Sequence, residues 1–280
     1  MIVVGRYVDG RRIAEHIKEG LRKRIDDLDT PPVLVGVCVG ARDADRVYAR
    51  MREKTAGDIG ALTRLVELEK DAVTEEVLEA INSLSSDPGV NGLIVHRPLP
   101  GHVDSEAVSR AIPPEKDVEG MHPYNLGLML MGKEIMVPAT PWAVVEILEA
   151  EEVDVKGKEV VVVSHSNIVG KPLSLMFLNR NATVHVCHVH TKDLGRWTRA
   201  ADVLVTAAGV PDLVNVDMVA EEAVVVDVSM NRTSRGLCGD VSQGVVERAR
   251  LVTPVPGGVG PVTNALLFKN LVNSLGHENC

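Results

Sequence analysis

Apolar residues change period several times along this chain, and each change marks an element. Ile13 to Leu28 carries apolar positions at helical spacing among Lys, Arg, Glu and Asp, which predicts an amphipathic helix. After Pro31-Pro32, the run Val33 to Val39 is short, Val-rich and almost wholly apolar, the pattern of a parallel strand covered on both faces. A helix over roughly Ala44 to Gly57, a weaker strand over Leu62 to Leu68, a helix over Glu75 to Ser83 and a strand over Gly92 to Val95 follow. Near Pro138 the pattern restarts. It predicts a helix over Pro141 to Glu149, a strand over Glu159 to Val163, a helix over Pro172 to Asn179 and a strand over Thr183 to Cys187. A helix near Leu194 to Ala200 and strands over Val203 to Ala207 and Ala223 to Val228 complete the series. Two runs of alternating strands and helices predict an α/β protein with two parallel sheets, divided in the Pro-rich stretch Pro138 to Thr140. A last helix, Ala265 to Leu275, is expected to pack back on the first domain.

A length of 280 residues suits two modest domains or one large one, and an aromatic content of 2% leaves the cores to aliphatic side chains. The net charge of -9 argues against a general nucleic-acid binder, which needs a basic surface, but leaves room for an anionic small ligand. Cys38, Cys187, Cys238 and Cys280 are scattered and form no C-x-x-C pair, so neither a disulfide framework nor a zinc ribbon is expected. The start, Met1 to Arg12, runs quickly into charge, unlike a signal peptide, and no apolar run is long enough to span a bilayer. The expected address is the cytoplasm, without membrane or nucleic-acid partners.

Val160 to Val163, followed by Ser164-His-Ser-Asn-Ile-Val-Gly170-Lys-Pro172, reads as strand, tight turn and helix. Such a turn aims backbone N–H groups and a helix N-terminus at a pyrophosphate. The glycine fingerprint is reduced to S-x-S-x-x-G, so an ordinary βα turn stands beside the dinucleotide reading with equal weight. The next strand ends at Cys187-His-Val-His190, with no acidic residue for a ribose and no Arg for a 2′-phosphate. Ala207 to Pro211 and Asp227 to Asn231 bring small and turn-forming residues to the carboxyl edge of the same sheet, where ligands of open α/β sheets bind. His185, Cys187, His188 and His190 alternate faces on a strand, so no metal site is expected there. Trp142 and Trp197 read as packing residues, and Asp104-Ser-Glu106 and Glu149 to Glu152 as solvated surface.

Five segments carry a resemblance over almost the whole chain: Thr253-Pro-Val-Pro-Gly-Gly-Val-Gly-Pro261, Ser166-Asn-Ile-Val-Gly-Lys-Pro172, Lys116-Asp-Val-Glu-Gly120, Pro98-Leu-Pro100 and Pro138-Ala-Thr-Pro141. The sequence resembles the bifunctional methylenetetrahydrofolate dehydrogenase/methenyltetrahydrofolate cyclohydrolase family. That resemblance implies two domains with a cleft between them: residues 1–139 with 262–280 for the pterin substrate, and a doubly wound, Rossmann-type sheet over 140–261 for NAD(P). It implies a homodimer that oxidises 5,10-methylenetetrahydrofolate to the methenyl form and hydrolyses this to 10-formyltetrahydrofolate, without a metal. The implied substrate residues are Tyr48, Pro256, Gly257, Gly258 and Gly260, and Arg97 joins them by its place beside His96, at a spot that is usually apolar in the family. The implied dinucleotide residues are Thr140, Ser164, His165, Ser166, Val189, Gly209 and Met230.

The chain departs from the family pattern in one place, the pterin pocket. The family has a Lys four residues after the Tyr, a Gln before Pro-Leu-Pro and a second Asp in K-D-V-D-G; here Tyr48 is kept and Arg52, His96 and Glu119 stand at the other three. Tyr48 and Arg52 share a helical face, whereas Lys54 is turned about 240° from Tyr48 and is a poor substitute. The family Lys assists proton transfer around water attack, and an Arg cannot shuttle a proton. His96 has two readings of equal weight, a general base for water or a hydrogen-bonding group of the pocket. Glu119 keeps the carboxylate that would hold the pterin amino and N3 hydrogens, about one methylene further out. Arg97 adds a second cation. Hydride transfer asks mainly for alignment, so dehydrogenase activity is expected to survive these changes better than cyclohydrolase activity. A dehydrogenase alone, for folate or a modified pterin such as tetrahydromethanopterin, and a catalytically inactive relative are the alternatives. His165 and Val189 replace an Arg and a Ser used for the 2′-phosphate of NADP, which favours NAD, with His190 placed to compensate.

Overall fold

In a computed structural model the chain is described over residues 5–234 and 236–276. Residues 1–4, Arg235 and 277–280, Cys280 among them, lie outside that description, as does the side chain of Ala44. In chain order the elements are β1 (Arg6–Tyr7), α1 (Gly10–Asp26), β2 (Val33–Val39), α2 (Asp43–Ile59), β3 (Leu62–Leu68), α3 (Thr74–Ser86), β4 (Gly92–Val95), α4 (Ser105–Ala111), α5 (Pro123–Leu130) and α6 (Ala139–Ala150). They continue with β5 (Glu159–Val163), α7 (Gly170–Asn179), β6 (Thr183–Cys187), α8 (Leu194–Thr198), β7 (Val203–Thr206), β8 (Val224–Asp227), β9 (Asn231–Thr233), β10 (Gly236–Cys238), β11 (Leu251–Val252) and α9 (Val259–Ser274). Among the described residues no helix is long and apolar enough to cross a membrane.

Two compact units share these elements. One spans His16–Ala139 and continues from Asn264. Its sheet is parallel in the order β3-β2-β4, with Val37 opposite both Val66 and Val95. Val35, Val37, Val39, Leu93 and Val95 pack with Val77, Ile81 and Val108 of α3 and α4, which is why the apolar runs of β2 and β4 are nearly continuous. Asp104, expected to be plain surface, caps α4 by accepting from the N–H groups of Glu106 and Ala107 at 2.9 and 3.1 Å. The end of α9 is tied to this unit. Asn270 is fully buried and donates through Nδ2 to the carbonyls of Val118 and Val137, both at 2.8 Å.

The other unit joins the segment ending at Glu15 to Thr140–Thr263. This corrects the expected division, which placed everything before residue 140 in the first domain. The cause is β1, which pairs in parallel with β11 through Arg6↔Leu251 and Tyr7↔Val252. Two-residue strands carry no readable period. The resulting parallel sheet has the order β1-β11-β8-β7-β5-β6, with β9 and β10 as a separate antiparallel hairpin. Its core is Val161, Val163, Leu204, Val225 and Val245, closed by Trp197 of α8 among others. Gly10 opens α1 where a side chain could not fit, since a Cβ there would lie 1.9 Å from the carbonyl oxygen of Gly258.

Candidate active site

The first cluster lies in the β3-β2-β4 unit. α2 brings Asp45, Tyr48 and Arg52 to one side, at positions i, i+3 and i+7. The carboxylate of Asp45 also starts the helix, accepting from the Arg42 N–H at 3.0 Å. The chain leaving β4 supplies His96 and Arg97, and the turn from Asp117 to Gly120 supplies Glu119. That turn is held by the Gly120 N–H on the Asp117 carbonyl at 3.0 Å, and Asp117 bridges to Leu93 of β4.

These side chains form a chain of contacts. Arg42 grips Asp45 twice, Nε to Oδ2 at 2.8 Å and Nη2 to Oδ1 at 2.9 Å. Asp45 Oδ1 lies 3.4 Å from His96 Nδ1, and the opposite ring nitrogen, Nε2, lies 2.6 Å from Arg52 Nη1. Asp45 and His96 are buried and Arg52 is partly so. Arg97 donates to Ser109 Oγ at 2.6 Å, while its carbonyl accepts from Arg42 at 3.1 Å. Tyr48 is 45% exposed, which leaves a ring face available to a ligand. Gly36, Arg50, Arg52, Arg64, Leu65 and His96 are among the residues lining a cavity of about 330 Å³ beside this cluster. Lys54 is exposed.

The two acidic residues of the cluster are pushed in opposite directions. Hydrogen bonds from Arg42 hold the Asp45 carboxyl well below the usual carboxylate range. Burial, with the neighbouring charge of Asp117, pushes Glu119 up to about 7 against the pull of Arg52 and Arg97. Burial and the Arg52 guanidinium lower His96 below an ordinary imidazole, with Asp45 opposing them. Burial also lowers Arg52, against Glu119, Tyr48 and Asp45. The sequence singled out Tyr48, Arg52, His96, Arg97 and Glu119. It missed Asp45, which at the head of a helix reads as an ordinary N-terminal acid.

The second cluster lies at the carboxyl edge of the six-stranded sheet. The turn after β5 folds around Ser166, whose Oγ accepts from the N–H groups of Val169 at 3.1 Å and Gly170 at 3.3 Å. A Cβ on Gly170 would lie 2.2 Å from the backbone oxygen of Ser164, so only glycine lets α7 start this close to β5. Among the described residues, the N–H groups of His165, Asn167 and Ile168 have no protein acceptor. They are donors available to an anion at the start of α7.

Nearby, the His165 and His188 rings meet at a tilt of 56° with centroids 4.8 Å apart, and His190 follows edge-on at 5.8 Å from His188. Val189 is 84% exposed and Met230 is also exposed. His185 has other partners, Glu159 at 2.7 Å and the tilted ring of Trp197 at 5.1 Å between centroids. Thr140 sits at the start of α6, partly buried. Gly209 has φ 72° and donates to Ser229 Oγ and Asp240 Oδ2.

Asp240 is the second residue the sequence did not reveal. Fully buried, it accepts from the N–H groups of Ala208, Gly209 and Val210 and from Ser229 and Asn231, so it pins the loop after β7. In the same unit, the proline–glycine loop begins at Thr253, whose Oγ accepts from the Asp227 N–H at 2.7 Å. It continues through Pro256, Gly257 and Gly258 to Gly260 at the start of α9, with the Gly258 N–H on the Pro254 carbonyl at 2.9 Å.

A doubly wound sheet with open amides at its first βα turn, and a second α/β unit with a cluster of ionisable side chains, are the parts of a two-unit, nucleotide-dependent enzyme. Residues 138–279 match the family model for the tetrahydrofolate dehydrogenase/cyclohydrolase NAD(P)-binding domain, and residues 8–119 match the model for its catalytic domain. The chain belongs to the tetrahydrofolate dehydrogenase/cyclohydrolase family. It is 42% identical over 272 residues to the bifunctional protein FolD of Methanosarcina mazei, covering 95% of each chain. Among solved structures it is similar to the bifunctional FolD of Campylobacter jejuni, at 39% identity and a TM-score of 0.94, over 96% of this chain and 97% of that one. It is also similar to the Trypanosoma brucei enzyme complexed with NADP cofactor and inhibitor, at 33% identity and a TM-score of 0.92, over 97% of both chains.

Proposed function

We propose that this chain oxidises 5,10-methylenetetrahydrofolate to the 5,10-methenyl form with NAD(P)+, and hydrolyses that product to 10-formyltetrahydrofolate as the weaker of two activities. The observation that carries this is the run of the family match through both units, over residues 8–119 and 138–279. When bound, NAD(P)+ supplies the hydride acceptor, and no metal is assigned to the reaction. The free amides of His165, Asn167 and Ile168, with the N-terminus of α7, fit a pyrophosphate, and the close start of α7 at Gly170 gives it room.

On the substrate side, the Tyr48 ring offers a stacking face, and ionised Glu119 accepts hydrogen bonds from the pterin amino group and N3. Arg52 keeps its proton and serves as a donor to negative charge. His96 Nε2 is already engaged by Arg52, which supports the hydrogen-bonding reading of His96 over the general base and makes hydrolysis the slower step. NAD+ is placed ahead of NADP+, because His165 and the apolar, exposed Val189 stand where a 2′-phosphate would need cationic and hydrogen-bonding partners. The working unit is a homodimer in the cytoplasm.

The test supplies methylenetetrahydrofolate with NAD+ or NADP+ and follows reduced cofactor and methenyl product together. Reduced cofactor with accumulating methenyl is expected, with the higher kcat/KM for NAD+. No reduced cofactor above background with either dinucleotide would overturn the reading.

A further inference from the structure

His96 touches two charged groups of opposite sign, one at each ring nitrogen: Asp45 Oδ1 at 3.4 Å from Nδ1 and Arg52 Nη1 at 2.6 Å from Nε2. Each contact constrains where the ring proton can be. A proton on Nε2 would point at an Arg N–H at 2.6 Å, donor against donor, and the bare Nδ1 lone pair would face a carboxylate. A doubly protonated ring would keep the first clash and add charge repulsion with Arg52. Only the neutral ring with its proton on Nδ1 satisfies both neighbours: Nδ1–H points to Asp45, and Nε2 accepts from Arg52. Asp45 is itself immobilised, because Arg42 holds both its oxygens through Nε and Nη2 and the Arg42 backbone N–H adds a third bond to Oδ2.

We propose that Asp45 is a positioning residue of the reaction: it sets the His96 tautomer, and the ring so fixed holds the Arg52 guanidinium in the orientation from which it meets the substrate. This rests on the reading that the cluster around Arg52 binds the pterin, and it adds to that reading a residue that touches no reacting atom. The arrangement follows the logic of a buried carboxylate that orients a histidine through Nδ1. The histidine here in turn orients a cation and takes no proton from substrate.

The test is Asp45→Asn. Two Arg42 donors, N and Nε, converge on Oδ2 and one, Nη2, meets Oδ1. The single carbonyl oxygen of Asn therefore belongs at Oδ2, where it satisfies two donors including the fixed backbone N–H. Its NH2 falls at the Oδ1 position, displacing Nη2 and facing His96 Nδ1. That NH2 can only donate, so the ring proton must move to Nε2, against Arg52. The readout is the ¹⁵N spectrum of the imidazoles, with the His96 signals assigned by their loss in His96→Gln. It is joined by kcat and KM for both substrates and a melting curve.

In the wild type, His96 Nδ1 is expected to be the protonated nitrogen. In Asp45→Asn the two signals should exchange, and kcat should fall about 10- to 100-fold with the dinucleotide KM unchanged. A wild-type ring protonated on Nε2 would overturn the proposal. So would a variant that keeps the wild-type tautomer, whether its kcat is unchanged or falls only together with its melting temperature. A wild-type protein without turnover would sink the activity reading alone, because the ring spectra judge the positioning by themselves.

Discussion

Glu119→Gln is the substitution for which the structure gives a sign and a magnitude together. Burial and Asp117 raise the Glu119 carboxyl from an ordinary 4.5 to about 7, net of the attraction to Arg52 and Arg97. Below pH 4.5 the group is protonated in the folded and unfolded chain alike, and it contributes no pH dependence. Between 4.5 and about 7 the unfolded chain has released its proton and the folded chain has not. The folded state then binds more protons, and stability must fall as pH rises. At about 1.4 kcal/mol per pH unit, that interval amounts to roughly 3 kcal/mol, lost by the time pH passes about 7. Gln has nearly the same shape and no proton to lose, so this loss disappears. Urea denaturation of both proteins from pH 4.5 to 8.5 should therefore show a stability difference that grows in favour of Glu119→Gln by roughly 3 kcal/mol across the window. Catalysis should move the other way. If the ionised carboxylate holds the pterin, kcat/KM for the folate rises through a limb near pH 7 in the wild type, and the variant lacks that limb. Parallel stability curves for the two proteins would mean that Glu119 is already ionised in the folded chain near pH 5, and the reasoning would fail.

Three further substitutions test other parts of the site. Arg52→Lys replaces a permanent cation by an amine whose pKa burial can lower, and the hydrolysis rate of the methenyl product should rise about 10-fold or more; an unchanged rate would refute Arg52 as its limit. Gly170→Ala puts a methyl 2.2 Å from the Ser164 backbone oxygen. It should cost about 1–3 kcal/mol in thermal unfolding and weaken dinucleotide binding in a titration, and an unchanged melting temperature would contradict the close approach. Asp240→Asn puts an NH2 in place of one carboxylate oxygen: at Oδ1 it faces the Val210 N–H and Asn231 Nδ2, at Oδ2 the N–H groups of Ala208 and Gly209 and the Ser229 hydroxyl, donor against donor either way. It should destabilise the chain by about 2–3 kcal/mol in denaturant, and a wild-type midpoint would show that the loop after β7 does not depend on that carboxylate.

What could be read from the chain and what could not differ in the range of the interactions involved. β2, β4 and β5 were legible because strands covered on both faces require apolar runs, and the observed bounds Val33–Val39, Gly92–Val95 and Glu159–Val163 are those the pattern predicts. β1 and β11 were not. Two residues carry no period, and only the pairing of Arg6 with Leu251 and Tyr7 with Val252 shows that the segment ending at Glu15 belongs with Thr140–Thr263. α5 was missed because Pro123-Tyr-Asn-Leu-Gly-Leu-Met-Leu130 is apolar without alternation of polar positions. The same limit governs the site. Residue types and helical spacing bring Tyr48 and Arg52 to one face, but protonation states depend on neighbours that spacing cannot place. Asp45 and Glu119 are both acids, yet three donors from Arg42 keep one ionised while burial beside Asp117 holds the other near neutrality. His96 shows the consequence. From sequence it is an imidazole with two open roles, and two distances, 3.4 Å to Asp45 and 2.6 Å to Arg52, are what favours the hydrogen-bonding role proposed for it, since the nitrogen a general base would use already faces Arg52.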